Sequence, residues 1–401
     1  MKNLKSQYIL PFLVGLLPLV AIFINERFVP FIIIGIVLST ILEKNIKNNF
    51  LENKRFLLPY LIYVLTFVLF TIVSSDIKIS SKVLERQTSM ILIPLILFSC
   101  NWNKERLVYI LRIYICCLTI IFFLSLGKLF WFIYNFNDWI QTMNLNSNSY
   151  TYVQFKFPHL IGAHPTYWSY LLIVANLFLL SNNYLKIFSK KGIIILMLII
   201  FNFNLLILSA RTPLLINVLI HVWALVLYFR KNTISSRKLI SIISLALVGA
   251  ILSFNIPLLR AKIHFIIDDE RFFLWPLAYE KIQENYFILG EGLGLGNQIF
   301  KNYILIHGDP RTIYHGFDLH NQYLTQWLDM GILGLTSLVY LILYPCTKIS
   351  KLISPKSFMH LGFTMLFIIS LNTESSLYRL NGVIIYSVFS SILLLLSKFK
   401  N

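Results

Sequence analysis

The sequence predicts an all-α, polytopic transmembrane protein of about twelve spans, with both termini in the cytoplasm and one large helical loop on the outer side. Three observations lead to this prediction. Hydrophobic residues make up 57% of the 401 positions and charged residues only 13%, too little polar surface for a soluble chain. Apolar stretches of roughly 17–25 residues recur from end to end, each long enough to cross the hydrocarbon layer. Lys and Arg concentrate in every second connection between these stretches.

The apolar stretches define the predicted spans, with the second and fourth shorter than the rest. They lie at 8–25, 28–42, 56–74, 87–100, 107–134, 167–182, 192–209, 212–229, 238–256, 322–345, 357–371 and 381–397. No small-residue cleavage site follows the first stretch, so we expect an uncleaved span there. Residues 1–401 are therefore treated as a single integral-membrane domain.

The formal net charge of +18 reflects the orientation of the spans, and no nucleic-acid partner is expected. With both termini inside, the inner segments hold the basic residues, as the positive-inside rule requires. These residues are Lys2, Lys5, Lys44, Lys47, Lys54, Arg55, Lys104, Arg106, Lys186, Lys190, Lys191, Arg230, Lys231, Arg237, Lys238, Lys348, Lys351, Lys356, Lys398 and Lys400.

Two outer segments are longer than a connection requires, at about 135–166 and 257–321. Long loops on a rigid scaffold are common sites of function. The 257–321 loop, expected to face the periplasm and to carry the active site, contains His264, His307, His315 and His320. The run Arg271-Phe272-Phe273-Leu274-Trp275 begins a predicted amphipathic helix that reaches about Phe287 and suits the lipid headgroup region.

Arg211 lies at the outer end of a tight hairpin, in Leu208-Ser209-Ala210-Arg211-Thr212-Pro213. An arginine there either snorkels to the interface or is a fixed cation for an anionic group such as a lipid phosphate. Arg271 is a second such cation. Two guanidinium groups that converge on a pyrophosphate would neutralise a leaving group without a metal ion. The preceding Asp268-Asp269-Glu270 fits a solvated acidic turn better than a Mg²⁺ site, and both interpretations stay open.

His320 lies where the large loop re-enters the membrane, beside Asn321, Gln322 and Tyr323. A neutral histidine at that place can accept a proton from a sugar hydroxyl. His164, in Gly162-Ala163-His164-Pro165-Thr166-Tyr167, is a weaker candidate on the same side. The glycines of Gly290-Glu291-Gly292-Leu293-Gly294-Leu295-Gly296-Asn297 do not have the spacing of a nucleotide-binding loop, so we expect tight turns and close backbone approach there.

The order of these motifs resembles the bacterial O-antigen ligase/O-antigen polymerase superfamily of lipid-linked glycan transferases. The resemblance covers about 208–334: the Arg211 hairpin, Arg271 with Trp275, the glycine-rich stretch, His320-Asn321-Gln322-Tyr323-Leu324, and Gly331-Ile332-Leu333-Gly334. It implies an inverting, metal-independent glycosyltransferase without a cofactor, in the bacterial inner membrane with its active site facing the periplasm. The implied donor is an undecaprenyl-pyrophosphate-linked glycan, whose pyrophosphate Arg211 and Arg271 would bind. His320 would be the catalytic residue, as the base that activates the acceptor hydroxyl or as the group that orients it, and Asn321, Gln322, Tyr323 and His164 would support the acceptor site.

The resemblance leaves the acceptor open. A polymerase of O-antigen, capsule or exopolysaccharide extends the chain on another lipid-linked unit, whereas a ligase transfers the glycan to lipid A–core. The segment with His164-Pro165-Thr166-Tyr167 is more similar to the polymerases. Two other classes are open: a transporter of polysaccharide or lipid-linked oligosaccharide, and a non-catalytic partner in an envelope complex. Common twelve-span carriers have their long central loop inside, whereas the elaborate loop here is predicted to be outside.

Overall fold

The computed structural model describes residues 2–43, 45–135, 157–208, 210–231, 271–307, 319–349 and 354–399. These residues form helices and no β-strand, which confirms the predicted all-α class. The main helices are α1 (Lys2–Phe23), α2 (Val29–Ile41), α3 (Ile46–Asn53), α4 (Leu58–Ile72), α5 (Ile77–Ser99), α6 (Lys104–Asn135), α7 (Pro165–Leu180), α8 (Lys191–Leu208), α9 (Arg211–Lys231), α10 (Arg271–Lys281), α11 (Gly296–His307), α12 (Gln322–Leu343), α13 (Pro355–Ser370) and α14 (Leu380–Leu396). Short helical turns lie at Glu26–Phe28, Lys54–Phe56, Asn182–Leu185, Ile282–Tyr286, Tyr344–Lys348 and Ser376–Tyr378.

Helices occupy every predicted span except 238–256, which lies outside the described residues. The largest difference is in α5, which begins at Ile77 rather than at 87. The Asp76 carboxylate caps this helix by accepting a hydrogen bond from the Ile79 N–H at 3.0 Å. The added turns contain polar residues such as Lys78 and Lys82. A hydropathy pattern detects only the apolar part of a helix, so it missed this polar extension.

Four of the described helices are long and apolar enough to cross a membrane: Lys104–Asn135, Lys191–Leu208, Arg211–Arg230 and Gln322–Lys348. The pair Glu26–Ile41 and Ile46–Phe56, bent by 109°, adds a fifth if it is one broken span. Shorter apolar helices lie at Tyr8–Phe23, Leu58–Ile72, Pro165–Leu180 and Leu380–Leu396. The chain is therefore a multi-pass membrane protein, while the number of twelve spans and their orientation stay predictions.

Two helices form the centre of the packing. Nearly every residue of α7 and of α14 is buried, and α14 packs most extensively against α5. Helices on the outside are different: α8 buries few residues and exposes apolar side chains such as Ile195 and Ile199. A helix that is buried all round belongs to the core of a bundle, and an exposed apolar face suits lipid.

A network of amides joins three helices within this apolar bundle. The Asn176 amide of α7 donates to Asn217 Oδ1 of α9 at 3.0 Å, and the Asn217 amide donates to Asn202 Oδ1 of α8 at 2.7 Å. His221 Nδ1 lies 2.8 Å from the Asn217 carbonyl oxygen. Because polar groups in an apolar environment must be paired, this network fixes α9 against its neighbours. The helix whose first residue is Arg211 is thus anchored along its length.

Predicted inner segments contact one another. Arg106 forms an ion pair with Glu43 at 2.5 Å, and Lys398 forms one with Glu52 at 3.3 Å. The Tyr344 hydroxyl donates to the Arg55 carbonyl oxygen at 2.8 Å. These contacts join segments that are far apart in sequence and agree with their common side in the predicted topology.

Candidate active site

The candidate site is organised by the segment 371–379, which connects α13 to α14. The Gln322 N–H donates to the Leu371 carbonyl oxygen at 2.8 Å, and the Leu377 N–H donates to Gln322 Oε1 at 3.0 Å. The Gln87 amide of α5 donates to the Leu377 carbonyl oxygen at 2.7 Å. Gln322 and Gln87 are both fully buried. The segment is therefore held against the start of α12, next to His320.

His320 faces a carboxylate that the sequence motifs do not contain. Its Nδ1 atom lies 3.7 Å from Oε2 of Glu374, whose side chain is only 15% exposed. This separation is longer than a good hydrogen bond and suits an ion pair when the imidazole is protonated. The His320 backbone has a φ of 47°, in the left-handed region that non-glycine residues rarely adopt. Such conformations persist where the surroundings fix them, often at functional sites.

His164 interacts electrostatically with Glu374 and His320. It directly precedes α7, and its ring centroid lies 5.4 Å from that of Tyr167. His164 is exposed, but protein atoms crowd its imidazole ring. The resulting loss of hydration lowers the pKa of His164. The Glu374 charge opposes the shift, and the charges of Arg379, His320 and His159 add to it. A lowered pKa keeps His164 neutral near pH 7.

Glu374 is held in its charged form by its neighbours. Burial alone would raise the pKa of this carboxyl group, but the side chain and charge of His320 lower it, as do the charges of His164 and Arg379. The net result is a pKa below the ordinary value. The interactions of Glu374 with His320, His164 and Arg379 therefore outweigh its desolvation.

Arg211 is the first residue of α9, and its side chain is exposed. The start of this helix is joined to the site segment through the next residue, because the Thr373 hydroxyl donates to Thr212 Oγ1 at 3.0 Å. Thr373 directly precedes Glu374. The structure thus brings the beginning of the Arg211 helix beside the His320–Glu374 pair.

Arg271 is the first residue of α10, within the large outer loop. The Trp275 indole N–H of the same helix donates to the Leu319 carbonyl oxygen at 3.1 Å, and Leu319 directly precedes His320. Residues four apart lie on one face of a helix. The start of the Arg271 helix is therefore one turn away from a hydrogen bond made beside His320.

Asn321, Gln322 and Tyr323 hold the start of α12 in place. Asn321 Oδ1 accepts hydrogen bonds from the N–H groups of Tyr323 and Leu324 at 3.0 and 3.1 Å, as an N-cap does. The Tyr323 hydroxyl donates to the Ile368 carbonyl oxygen at 3.1 Å. These contacts fix the backbone next to His320, and the predicted support of an acceptor by the three residues stays a prediction.

The glycine-rich stretch closes the structure around Asp329, which is fully buried in α12. Its two carboxylate oxygens accept the N–H groups of Gly296 at 2.8 Å and Gly294 at 3.0 Å, and the Tyr378 hydroxyl at 2.5 Å. A Cβ atom at Gly290 would overlap the backbone of Asp329. The predicted close backbone approach is thereby confirmed at Gly290.

The helix α12 is broken where this stretch docks. Gly331 has a φ of 60°, and a Cβ atom there would overlap the Ile288 carbonyl oxygen. The Ile332 N–H leaves the helical pattern and donates to the Phe287 carbonyl oxygen at 3.0 Å. Only glycine fits this approach, which explains the first glycine of Gly331-Ile332-Leu333-Gly334. The break joins the large outer loop directly to the helix that begins beside His320.

The sequence motifs missed Glu374, Arg379 and Asp329. The chain has only 17 acidic residues, and Glu374 stands in a short predicted outer segment between the last two spans. A rare acidic residue in a short segment between two spans is itself a signal of a functional site. The predicted alternative of a cation at Asp268-Asp269-Glu270 lies outside the described residues. Among the residues that are described, no group of three or more His, Cys, Asp or Glu side chains meets at metal-binding distance.

Comparison with protein-family models matches residues 193–339 to the family described as O-antigen ligase. The matched segment contains Arg211, Arg271, His320, the glycine-rich stretch and the broken helix, and it stops short of Glu374. The comparison with curated proteins found no match. The family is one of glycosyl-transfer enzymes of the membrane. The segment 193–339 is thus similar to the O-antigen ligase family, which supports the resemblance of the motifs to the O-antigen ligase/polymerase superfamily.

Proposed function

We propose that the protein transfers a glycan from undecaprenyl pyrophosphate to a hydroxyl group of an acceptor, with inversion at the anomeric carbon. One observation supports this most: the residues that precede Glu374 and His320 are hydrogen-bonded to the helices that begin with Arg211 and Arg271, through Thr373–Thr212 and Leu319–Trp275. A base and two cations are what this reaction needs. The site would face the periplasm, because its segments are predicted outer segments.

One ring nitrogen of His320 would accept the proton of the acceptor hydroxyl. Nδ1 faces Glu374, so Nε2 is the atom that takes the proton of the acceptor hydroxyl. The acceptor oxygen then forms a bond to the anomeric carbon while the bond from that carbon to the phosphate oxygen breaks. The bonding electron pair leaves with undecaprenyl pyrophosphate. Glu374 fixes the tautomer and stabilises the imidazolium that forms, as a carboxylate partner does in other histidine bases.

Arg211 and Arg271 would stabilise the negative charge that grows on the leaving pyrophosphate. A guanidinium group binds two phosphate oxygens at once, whereas an ammonium group is a point charge. Charge stabilisation of a leaving group is often the largest contribution to a rate enhancement. Lysine at either position should therefore support the reaction poorly.

For the acceptor we favour another lipid-linked unit, that is, a polymerase of O-antigen, capsule or exopolysaccharide. The basis is the similarity of the His164-Pro165-Thr166-Tyr167 segment to the polymerases, together with the electrostatic interaction of His164 with Glu374 and His320. A ligase that uses lipid A–core is the second candidate, and the description of the matched family favours it.

Reconstitution tests the proposal and separates the two acceptors. The purified chain is placed in liposomes with undecaprenyl-pyrophosphate-linked repeat units as the only glycan, and the products are separated on a gel. A ladder of products indicates a polymerase. A product that forms only after lipid A–core is added indicates a ligase. An intact donor under both conditions contradicts the proposal and favours a transporter, which a flipping assay would then detect.

Variants at the three proposed residues complete this test. His320→Ala, Arg211→Lys and Arg271→Lys should each lose most of the product at normal protein level. Arg27→Lys is the matched control. Arg27 is exposed on the Glu26–Phe28 turn and is not one of the residues proposed to act in the site. Near-normal product from all three variants would overturn the proposed roles.

A further inference from the structure

A polar cavity of about 390 Å³ is lined in part by the segment that carries Glu374. This volume is within the range of small-molecule sites and is large enough for a phosphate group and part of a sugar. The cavity is lined from five parts of the chain: the turn after α1, α5, the glycine-rich stretch, α12, and the end of the site segment with the first residue of α14. The lining includes Glu26, Arg86, Asn297, Thr325, Ser375 and Arg379.

Two arginines are the basic residues of the cavity lining. Arg86 and Arg379 both have exposed side chains, and neither guanidinium group forms an ion pair or hydrogen bond with the residues that the structure describes. Of the acidic groups in the lining, Asp329 is fully buried and already accepts three hydrogen bonds. Glu26 alone presents an exposed carboxylate. Two forked donors in one polar cavity suit an oxyanion.

The cavity is connected to the His320–Glu374 pair through the segment 371–379, although neither residue lines it. Ser375 of the lining directly follows Glu374, and its hydroxyl lies 3.4 Å from that of Thr325, one helical turn after Asn321. The Arg379 charge also acts on Glu374 and His164. A ligand in the cavity would thus contact the segment that carries Glu374, on a set of residues separate from the helix starts that carry Arg211 and Arg271.

We infer that Arg86 and Arg379 bind a phosphate-type anion carried by the acceptor. The inference rests on the proposed function, in which Arg211 and Arg271 bind the donor pyrophosphate and His320 receives the acceptor proton. A transferase must bind the acceptor as its second substrate. The two arginines give this cavity the charge to hold an anionic acceptor. Both candidate acceptors have that chemistry, as the diphosphate of a lipid-linked unit or the phosphates of lipid A–core.

The test compares acceptors that differ only in phosphate. Transfer from a labelled lipid-linked donor is measured with a repeat-unit glycan with or without a reducing-end diphosphate, and with lipid A–core before or after dephosphorylation. The native chain should prefer one phosphorylated acceptor by about tenfold or more in KM, as expected for charge-assisted hydrogen bonds. The identity of that acceptor names the source of the anion.

The double variant Arg86→Gln/Arg379→Gln should lose this preference, and Arg86→Lys/Arg379→Lys should retain part of it. Arg27→Gln, exposed on the same turn as Glu26 and outside the cavity lining, should behave like the native chain. A double variant that keeps the full preference at native transfer rates would overturn the inference. Thermal unfolding of each variant in detergent checks that the exposed substitutions leave the fold intact.

A binding measurement separates failure of the inference from failure of the proposed function. Binding of the two phosphorylated acceptors is titrated without donor, on the native chain and on the double variant. If no acceptor supports transfer but the double variant loses binding, the proposed function fails and the anion site stands. If the double variant binds both acceptors as the native chain does, the anion site is wrong whether or not transfer occurs.

Discussion

Glu374 controls the orientation of His320 in the proposed mechanism. Its carboxylate oxygen lies 3.7 Å from Nδ1, and the left-handed backbone at His320 leaves the ring dependent on its neighbours. Carboxylates that orient a functional histidine typically contribute about 10–100-fold to activity. The residue would act through His320 rather than on the substrate.

Glu374→Gln should reduce the transfer rate by about 10–100-fold. It should also move the acidic limb of the pH–rate profile to lower pH, because a neutral amide no longer stabilises the protonated imidazole. Glu374→Asp should recover part of the rate. The exposed Glu85→Gln on α5 is the control, and an unchanged pH profile in Glu374→Gln would limit Glu374 to a structural role.

The lowered pKa of Glu374 also predicts a pH dependence of stability. Because the folded state holds this pKa below its ordinary value of 4.5, the contribution of the carboxylate to the free energy of unfolding is complete above that pH. It is lost as the pH falls through the folded-state pKa. Thermal unfolding in detergent should give the native chain a higher Tm than Glu374→Gln at pH 6–7. This difference in Tm should shrink below about pH 4.5. A difference that grows on acidification would have the wrong sign.

Single residues were predictable where they stand in motifs, and not elsewhere. Arg211, Arg271 and His320 were selected from their neighbours in sequence, and their helices meet at one site segment. Glu374 lies 54 positions after His320 and approaches it only because Gln322 fixes the 371–379 segment on both sides. No local pattern contains that information.

At the scale of elements, the contact between the glycine-rich stretch and α12 joins the large loop to the site. Asp329 accepts two backbone N–H groups from one side and the Tyr378 hydroxyl from the other. The fit requires bare backbone at Gly290. The same contact positions Tyr378 and therefore the segment that carries Glu374.

Gly290→Ala should lower the free energy of unfolding by about 1–3 kcal/mol, because the added methyl group overlaps the Asp329 backbone. Gly127→Ala is the matched control: Gly127 is exposed within α6 and a Cβ atom there meets nothing within 4 Å. That change should be neutral or stabilise the helix by about 0.5–1 kcal/mol. Thermal unfolding compares the two, and equal effects would mean that the contact contributes no stability.

Helices were more predictable in their apolar parts than at their polar ends. The 32-residue α6 follows the long predicted fifth span closely, because its residues are predominantly apolar, with only Arg112 and Lys128 charged between 107 and 134. The start of α5 and the break of α12 at Gly331 were not predicted. Both depend on polar or backbone contacts with distant segments, which hydropathy does not record.

At the scale of the whole molecule, the predicted topology remains to be tested. The contacts among Glu43, Arg106, Glu52 and Lys398 agree with a common inner side. The distribution of Lys and Arg predicts that the site lies on the opposite, outer side.

Cysteine labelling measures the orientation directly. In a variant whose four cysteines are replaced by serine, Arg27→Cys should react with a membrane-impermeant maleimide in right-side-out vesicles, and Glu52→Cys only in inverted vesicles. Both positions are exposed, so accessibility depends on the side of the membrane. The reverse pattern would place the candidate site in the cytoplasm.

The most direct test of the central claim is glycan transfer by the native chain and by His320→Gln in liposomes that contain undecaprenyl-pyrophosphate-linked units and lipid A–core. Glutamine retains a polar side chain but cannot take up the acceptor proton. The account predicts product and released undecaprenyl pyrophosphate from the native chain, and at least a hundredfold less of both from the variant, in line with a lost general base. Equal release from the two proteins, with the variant correctly folded, would contradict it.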